Sequence, residues 1–168
     1  QSYLPDYVRL RMMGCNLRGG PLASLHTGST SAAETGCDGA VVPTLVDRDA
    51  QKVLVDSKDI CIYLDNTVQN SDRLYPADLA REVDEQLTIV DNLPNYQMLM
   101  MRRNSSGPTG HAVGAKFSRQ KVAWCDRYLE AFPDDHDLQR AYRAKRDKEW
   151  SAAETLFTPE AAQETFKR

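Results

Sequence analysis

Two pairs of residues carry the types and spacing from which binding chemistry can be built, Val42-Pro43 and Asp56-Ser57. A proline inside an apolar, β-branched run withdraws a donor from the strand ladder. It is tolerated at an edge, at a strand entry or at a bend, and Pro43 marks such a break. Asp56-Ser57 stands where a second such run ends and a helical pattern begins. There the Ser hydroxyl and the unpaired first-turn amides together form a receptor for a small carboxylate. Each pair also has a plainer account, an edge-strand proline and a helix-capping serine. Their order along the chain (break, strand, turn, strand, helix start) is more specific than either alone.

Nucleophiles are harder to find. The four cysteines, at 15, 37, 61 and 125, form no CxxC pair and no close cluster with His26, His111 or His136. Neither a zinc site nor a disulfide framework is expected. Cys15, between Gly14 and Asn16, and Cys37, beside Asp38, lie in a Gly/Ser-rich stretch where a thiol can approach a bound ligand, and they are weak catalytic candidates. Cys61 and Cys125 fall on apolar helical stripes and read as small buried hydrophobes. Arg9, Arg11 and Arg18 are able to meet an acidic group, but scattered surface arginines are the commoner explanation. Tyr96, Met98 to Met101 and Trp124 fit helix-core packing better than a substrate pocket.

The elements that must position these residues follow from periodicity. Residues 1–13 suit a short helix or an extended arm with one apolar edge. Residues 14–39, rich in Gly, Ser and Thr, are expected to form a long surface insertion. The runs 40–46 and 52–56, joined by Asp47-Arg48-Asp49-Ala50-Gln51, predict a β-hairpin. Ile60, Cys61, Tyr63 and Leu64 then form an apolar stripe at helical spacing. Beyond a linker at residues 70–73, Leu79, Val83, Leu87, Val90 and Leu93 share one helical face until Pro94 interrupts. Residues 104–110 read as a loop. A helix from about Ala112 carries Val113, Phe117, Val122, Trp124, Cys125, Tyr128 and Leu129 and stops near Phe132-Pro133. Another runs from about Asp135 to Phe157 with Leu138, Tyr142 and Trp150 inward, and Thr158-Pro159 starts a last one.

Length and charge bound the possibilities. The 168 residues fit one ordinary domain or two small ones, and 21 Lys and Arg against 24 Asp and Glu leave a formal charge of −3. No basic excess collects nucleic acid or anionic lipid. No apolar run approaches bilayer length, and the amino terminus lacks a secretory pattern, so a cytoplasmic setting without membrane contact is the expectation. The chain begins at Gln1 rather than Met, which leaves open a segment ahead of it.

The segments Val41-Val-Pro-Thr-Leu-Val46, Val53-Leu-Val-Asp-Ser57 and Ile60-Cys-Ile-Tyr-Leu64 resemble, in order, the third strand, fourth strand and third helix of the glutathione transferase superfamily. Further segments, Tyr7-Val-Arg-Leu, Met13-Gly-Cys-Asn, Thr27-Gly-Ser-Thr, Cys37-Asp38 and residues 138–149, look like the branch containing glutathione-dependent hydroquinone reductive dehalogenases. The resemblance implies an α/β plus all-α fold. Residues 1–70 would form a partial thioredoxin-like glutathione-binding domain with an insertion at 14–39, and residues 74–168 an all-helical domain. It implies glutathione as cofactor, a halogenated hydroquinone-like aromatic as the small-molecule substrate, and the family's dimerisation as a possible homodimer; the scattered Cys and His residues predict no metal. By that resemblance Pro43 is cis, the Val42 backbone pairs with the cysteinyl part of glutathione, and Asp56 and Ser57 hold its γ-glutamyl end. The branch's catalytic cysteine follows a first strand at the start of a first helix, a strand-helix-strand unit not found among residues 1–40. Two further readings share the fold: a glutathione-dependent isomerase of maleyl-type acids, and a non-catalytic binding or assembly module.

Overall fold

The computed structural model describes residues 2–20, 22, 36, 38–68, 73–95, 98 and 110–165. Helices dominate them, with one two-stranded sheet. None of these helices is long and apolar enough to cross a membrane.

Helix α1 spans Pro5–Arg18, with Pro at its first position, Asp6 in the first turn, Arg18 in the last, and Gly19 closing it in the left-handed conformation at φ 69°. That distribution matches the charge and glycine preferences of helix ends. The helix overruns the expected start of the insertion, because Gly14 is fixed by packing rather than by propensity. α1 lies so close to the sheet that a Cβ at position 14 would stand 2.5 Å from Val55 Cγ1 and 2.9 Å from Val53 Cγ1. Of the remaining insertion, residues 21, 23–35 and 37 lie outside the described residues.

Strands β1 (Leu45–Asp47) and β2 (Lys52–Leu54) pair antiparallel, with Leu45 opposite Leu54 and Asp47 opposite Lys52. The expected hairpin is present but shorter, and Pro43 precedes its first strand instead of interrupting it. Asp47 organises the turn. Its carboxylate accepts from Ala50 N at 2.8 Å and from the Tyr63 hydroxyl at 2.5 Å, and these two bonds hold it below the usual carboxylate range.

Helix α2 (Ser57–Thr67) follows directly and buries Ile60, whereas Cys61 and Leu64, expected on the same inward stripe, are exposed. Along α2 the neighbours are met by polar side chains instead, Asp59 with Arg18, Lys58 with Asp84 and Tyr63 with Asp47. Helix α3 (Ala80–Asp91) ends before Pro94. Its predicted apolar face forms, but Leu79, Leu87, Val90 and Leu93 stay exposed among the described residues.

Helices α4 (Gly110–Ala131) and α5 (His136–Thr155) pack along each other, and α6 (Pro159–Thr165) follows a Thr158 cap whose hydroxyl accepts from Ala161 N at 3.1 Å. α1 packs on β2 and on α5. The core gathers Tyr3, Val8, Met12, Ala40, Cys125, Leu138, Ala141 and Tyr142, with Tyr128 stacked on Tyr142 at 5.2 Å between centroids. Trp150, expected inward, is 56% exposed. Small residues explain the difference: Ala152 and Ala153 and the ring of Phe157, seated against Gly114, fill the space there instead.

A charged chain crosses this core. Lys145 Nζ lies 2.8 Å from Asp38 Oδ2 and 3.6 Å from Glu149, and Lys121 Nζ meets the same Glu149 oxygen at 2.7 Å. The Tyr3 hydroxyl donates to it at 3.1 Å, and burial first, then the Glu149 charge, pushes the phenol well above its ordinary pKa.

Candidate functional site

The Val41–Thr44 loop enters β1 with a cis peptide bond between Val42 and Pro43. Val42 is 63% exposed. The carbonyls on either side of it are taken: the Tyr7 hydroxyl donates to Val41 O at 2.7 Å, and Arg11 Nη1 donates to Pro43 O. No described residue hydrogen-bonds the backbone of Val42 itself. An exposed residue whose backbone no described residue hydrogen-bonds, flanked by satisfied neighbours, can pair with the backbone of a bound peptide.

Arg11, expected on the surface, is 2% exposed. Its Nε donates to Asp38 O at 2.5 Å, and its Nη1 also reaches Thr44 Oγ1 at 3.2 Å. Burial lowers the guanidinium's pKa, opposed by Tyr7, Asp38 and Asp56. Both the proline loop and the acidic residue of the second pair thus act on one buried cation. The signal for it lay in spacing: Tyr7 and Arg11 stand one helical turn apart on the face that also buries Val8 and Met12. Arg9 and Arg18 are also engaged, Arg9 with Asp135 and Asp6 at 2.9 Å each and Arg18 with Asp59 at 2.8 Å.

At the start of α2 the cap is Asp56, not Ser57. Its Oδ1 accepts from Lys58 N at 2.9 Å and Asp59 N at 3.4 Å, and the residue is 1% exposed. A carboxylate is a strong acceptor for first-turn amides, and β2 delivers the chain there in the extended conformation a cap requires. Ser57 becomes the first helical residue and faces outward. It lines a cavity of about 440 Å³ between α2 and α3, shared with Lys58, Cys61, Tyr75 and Asp84. Lys58 Nζ pairs with Asp84 at 2.7 Å, and the Tyr75 hydroxyl donates to the same oxygen at 2.9 Å. These bonds hold the Asp84 carboxyl below its usual range, and Asp84 holds the Lys58 ammonium above its own.

Cys15 is disulfide-bonded, where no disulfide framework was expected, and in this oxidised state it is not a free thiol. Sequence spacing looks for close pairs, whereas a disulfide needs only Cβ atoms brought together by the fold. Cys37 lies outside the described residues, as do Tyr96, Leu99, Met100 and Met101, while Met98 is exposed. Cys125 is buried as expected, and that burial pushes its thiol up to about 12. Among the described residues no three His, Cys, Asp or Glu side chains gather as metal ligands would.

No protein-family model matches the chain, and no solved structure matches it significantly. It is similar to the 2,5-dichlorohydroquinone reductive dechlorinases of two Sphingobium indicum strains, 33% identical over 160 residues in each case. The alignment covers 91% of this chain and 45% of each dechlorinase, so the chain spans about half the length of the curated relatives it matches.

Proposed function

We propose that this chain forms the glutathione-recognising and helical part of a glutathione-dependent reductive dehalogenase acting on a halogenated hydroquinone-like aromatic. The observation that carries the reading is the similarity to the two dechlorinases across nearly the whole chain. The small sheet with α2 and the helices from α3 onward are compatible with a partial thioredoxin-like domain over residues 1–70 and a helical domain over 74–168.

The donor set fits a tripeptide. The Val42 backbone pairs with its cysteinyl part through groups that no described residue uses. Ser57, exposed at the start of α2, meets the γ-glutamyl end, and Asp56, whose carboxylate takes the Lys58 and Asp59 amides, serves that end by capping the helix that presents Ser57. When bound, glutathione would supply the thiol that displaces halide from the ring and leaves a glutathionyl adduct, which a second thiol must attack at sulfur to release the reduced ring and a disulfide. Of the described cysteines, Cys15 is in a disulfide and Cys125 is sealed in the core, which leaves Cys61, exposed on α2 and lining the same cavity as Ser57, as the accessible thiol; none is assigned as the nucleophile.

The test uses the full-length protein. It should be retained on glutathione-agarose and release chloride from a chlorinated hydroquinone only when glutathione is present. Retention without chloride release would support a binding module instead, and failure of both removes the proposal. Ser57→Ala should weaken glutathione binding, and unchanged affinity would take Ser57 out of the site.

A further inference from the structure

We propose that Arg11, assisted by Tyr7, is a positioning residue of the glutathione site, holding the Val41–Thr44 loop so that the Val42 peptide group faces the ligand. The inference rests on the reading of Val42 given above. Four acceptors define the loop's path, and α1 takes all of them. Tyr7 occupies Val41 O and shares Thr44 Oγ1 at 3.0 Å, while Arg11 occupies Asp38 O, Pro43 O and the same Thr44 hydroxyl. The donors thus bracket Val42 on both sides and leave its own N–H and C=O, which no described residue engages, open to a peptide ligand.

The geometry suits arginine and not lysine. The planar guanidinium donates along two directions at once, to Asp38 O from Nε and to Pro43 O from Nη1, where an ammonium would act as a single point. The clamp is itself anchored. Asp38, whose carbonyl receives Arg11, sends its carboxylate to Lys145 of α5 at 2.8 Å and to the Ala40 amide at 3.3 Å. The loop is therefore fixed to both α1 and α5 before a ligand arrives, and little ordering is left for binding to accomplish.

The experiment measures glutathione affinity by calorimetry, and amide hydrogen exchange at Val42 with saturating glutathione, in the full-length protein and its Arg11→Lys and Tyr7→Phe variants. Wild type should show glutathione-dependent protection at Val42. Arg11→Lys should lose affinity by about 10-fold, the size of one charged hydrogen bond, and Tyr7→Phe by about 3-fold. In both variants protection at Val42 should disappear while ligand-dependent protection at the start of α2 persists. A folded variant that keeps Val42 protected overturns the proposal, as does equal loss of protection at both ends of the ligand, which marks a merely structural role. Tyr7→Phe removes one hydroxyl and keeps the ring, so it carries the test if Arg11→Lys fails to fold. A wild-type protein that does not bind glutathione removes the underlying reading, and the two failures are told apart by that control.

Discussion

The ammonium of Lys145 sits 2.8 Å from the carboxylate of Asp38 across 107 residues of sequence, with both side chains sealed from solvent. The pair ties the segment leading into the proline loop to the middle of α5. Two ions removed from water hold each other only while both are present. Lys145→Met should therefore destabilise the fold by about 3–5 kcal/mol, measured by urea unfolding, because Asp38 is left charged and enclosed. Adding Asp38→Leu to that variant should recover part of the loss, and an additive double variant would refute the coupling.

The helix start at Asp56-Ser57 separates cap from contact. Asp56→Ala should cost about 0.5–2 kcal/mol in thermal or urea unfolding, the usual loss for a side-chain cap. Ser57→Ala should change stability by no more than about 0.5 kcal/mol, since the residue faces solvent outside the cap. Equal losses would show that the hydroxyl carries structural load as well.

The thiols should differ sharply in reactivity. Cys61 is exposed on α2, whereas burial pushes the Cys125 thiol up to about 12. At pH 8 only about one part in ten thousand of Cys125 is thiolate, and access is blocked as well. Iodoacetamide followed by peptide mass spectrometry should modify Cys61 in the folded protein and Cys125 only after denaturation. Modification of Cys125 under native conditions would mean that the core opens.

Acid should weaken the start of α5 in a defined direction. Asp135 accepts Leu138 N at 3.0 Å and Arg9 Nε at 2.9 Å, and these bonds, in that order, hold its carboxyl below the ordinary value. The folded-state pKa lies below the unfolded one. The stabilisation is thus fully present above about pH 4 and drains away as pH falls through the folded value. The stability gap between wild type and Asp135→Ala should narrow on acidification over that range; a constant gap would show that the charge contributes nothing.

How much of this was legible beforehand depended on the kind of residue. The hairpin and the α2, α4 and α5 helices announce themselves through local period, and Thr158-Pro159 through cap chemistry. Interior against exterior was harder. Cys61 and Trp150 lie on plausible apolar stripes, yet which part of a stripe is covered depends on partners that period alone does not reveal. Arg11 shows the opposite failure. Its charge argued for the surface, and only the loop carbonyls gathered by the fold make burial tolerable. The disulfide of Cys15 was likewise decided by three-dimensional proximity, whereas the cap at Asp56 is local, made to amides two and three residues on.

Gly14 sets how the loop is held. The side chains that bracket Val42 ride on a helix whose distance from the sheet is set by a missing methyl group, with Val55 Cγ1 only 2.5 Å from where a Cβ would stand. Any larger residue there would act as a shim, lifting α1 off the strands and carrying the Tyr7 and Arg11 donors away from the carbonyls they reach. Position 14 is in that sense a ruler for the site: it touches no ligand, yet it fixes the height at which the loop is held.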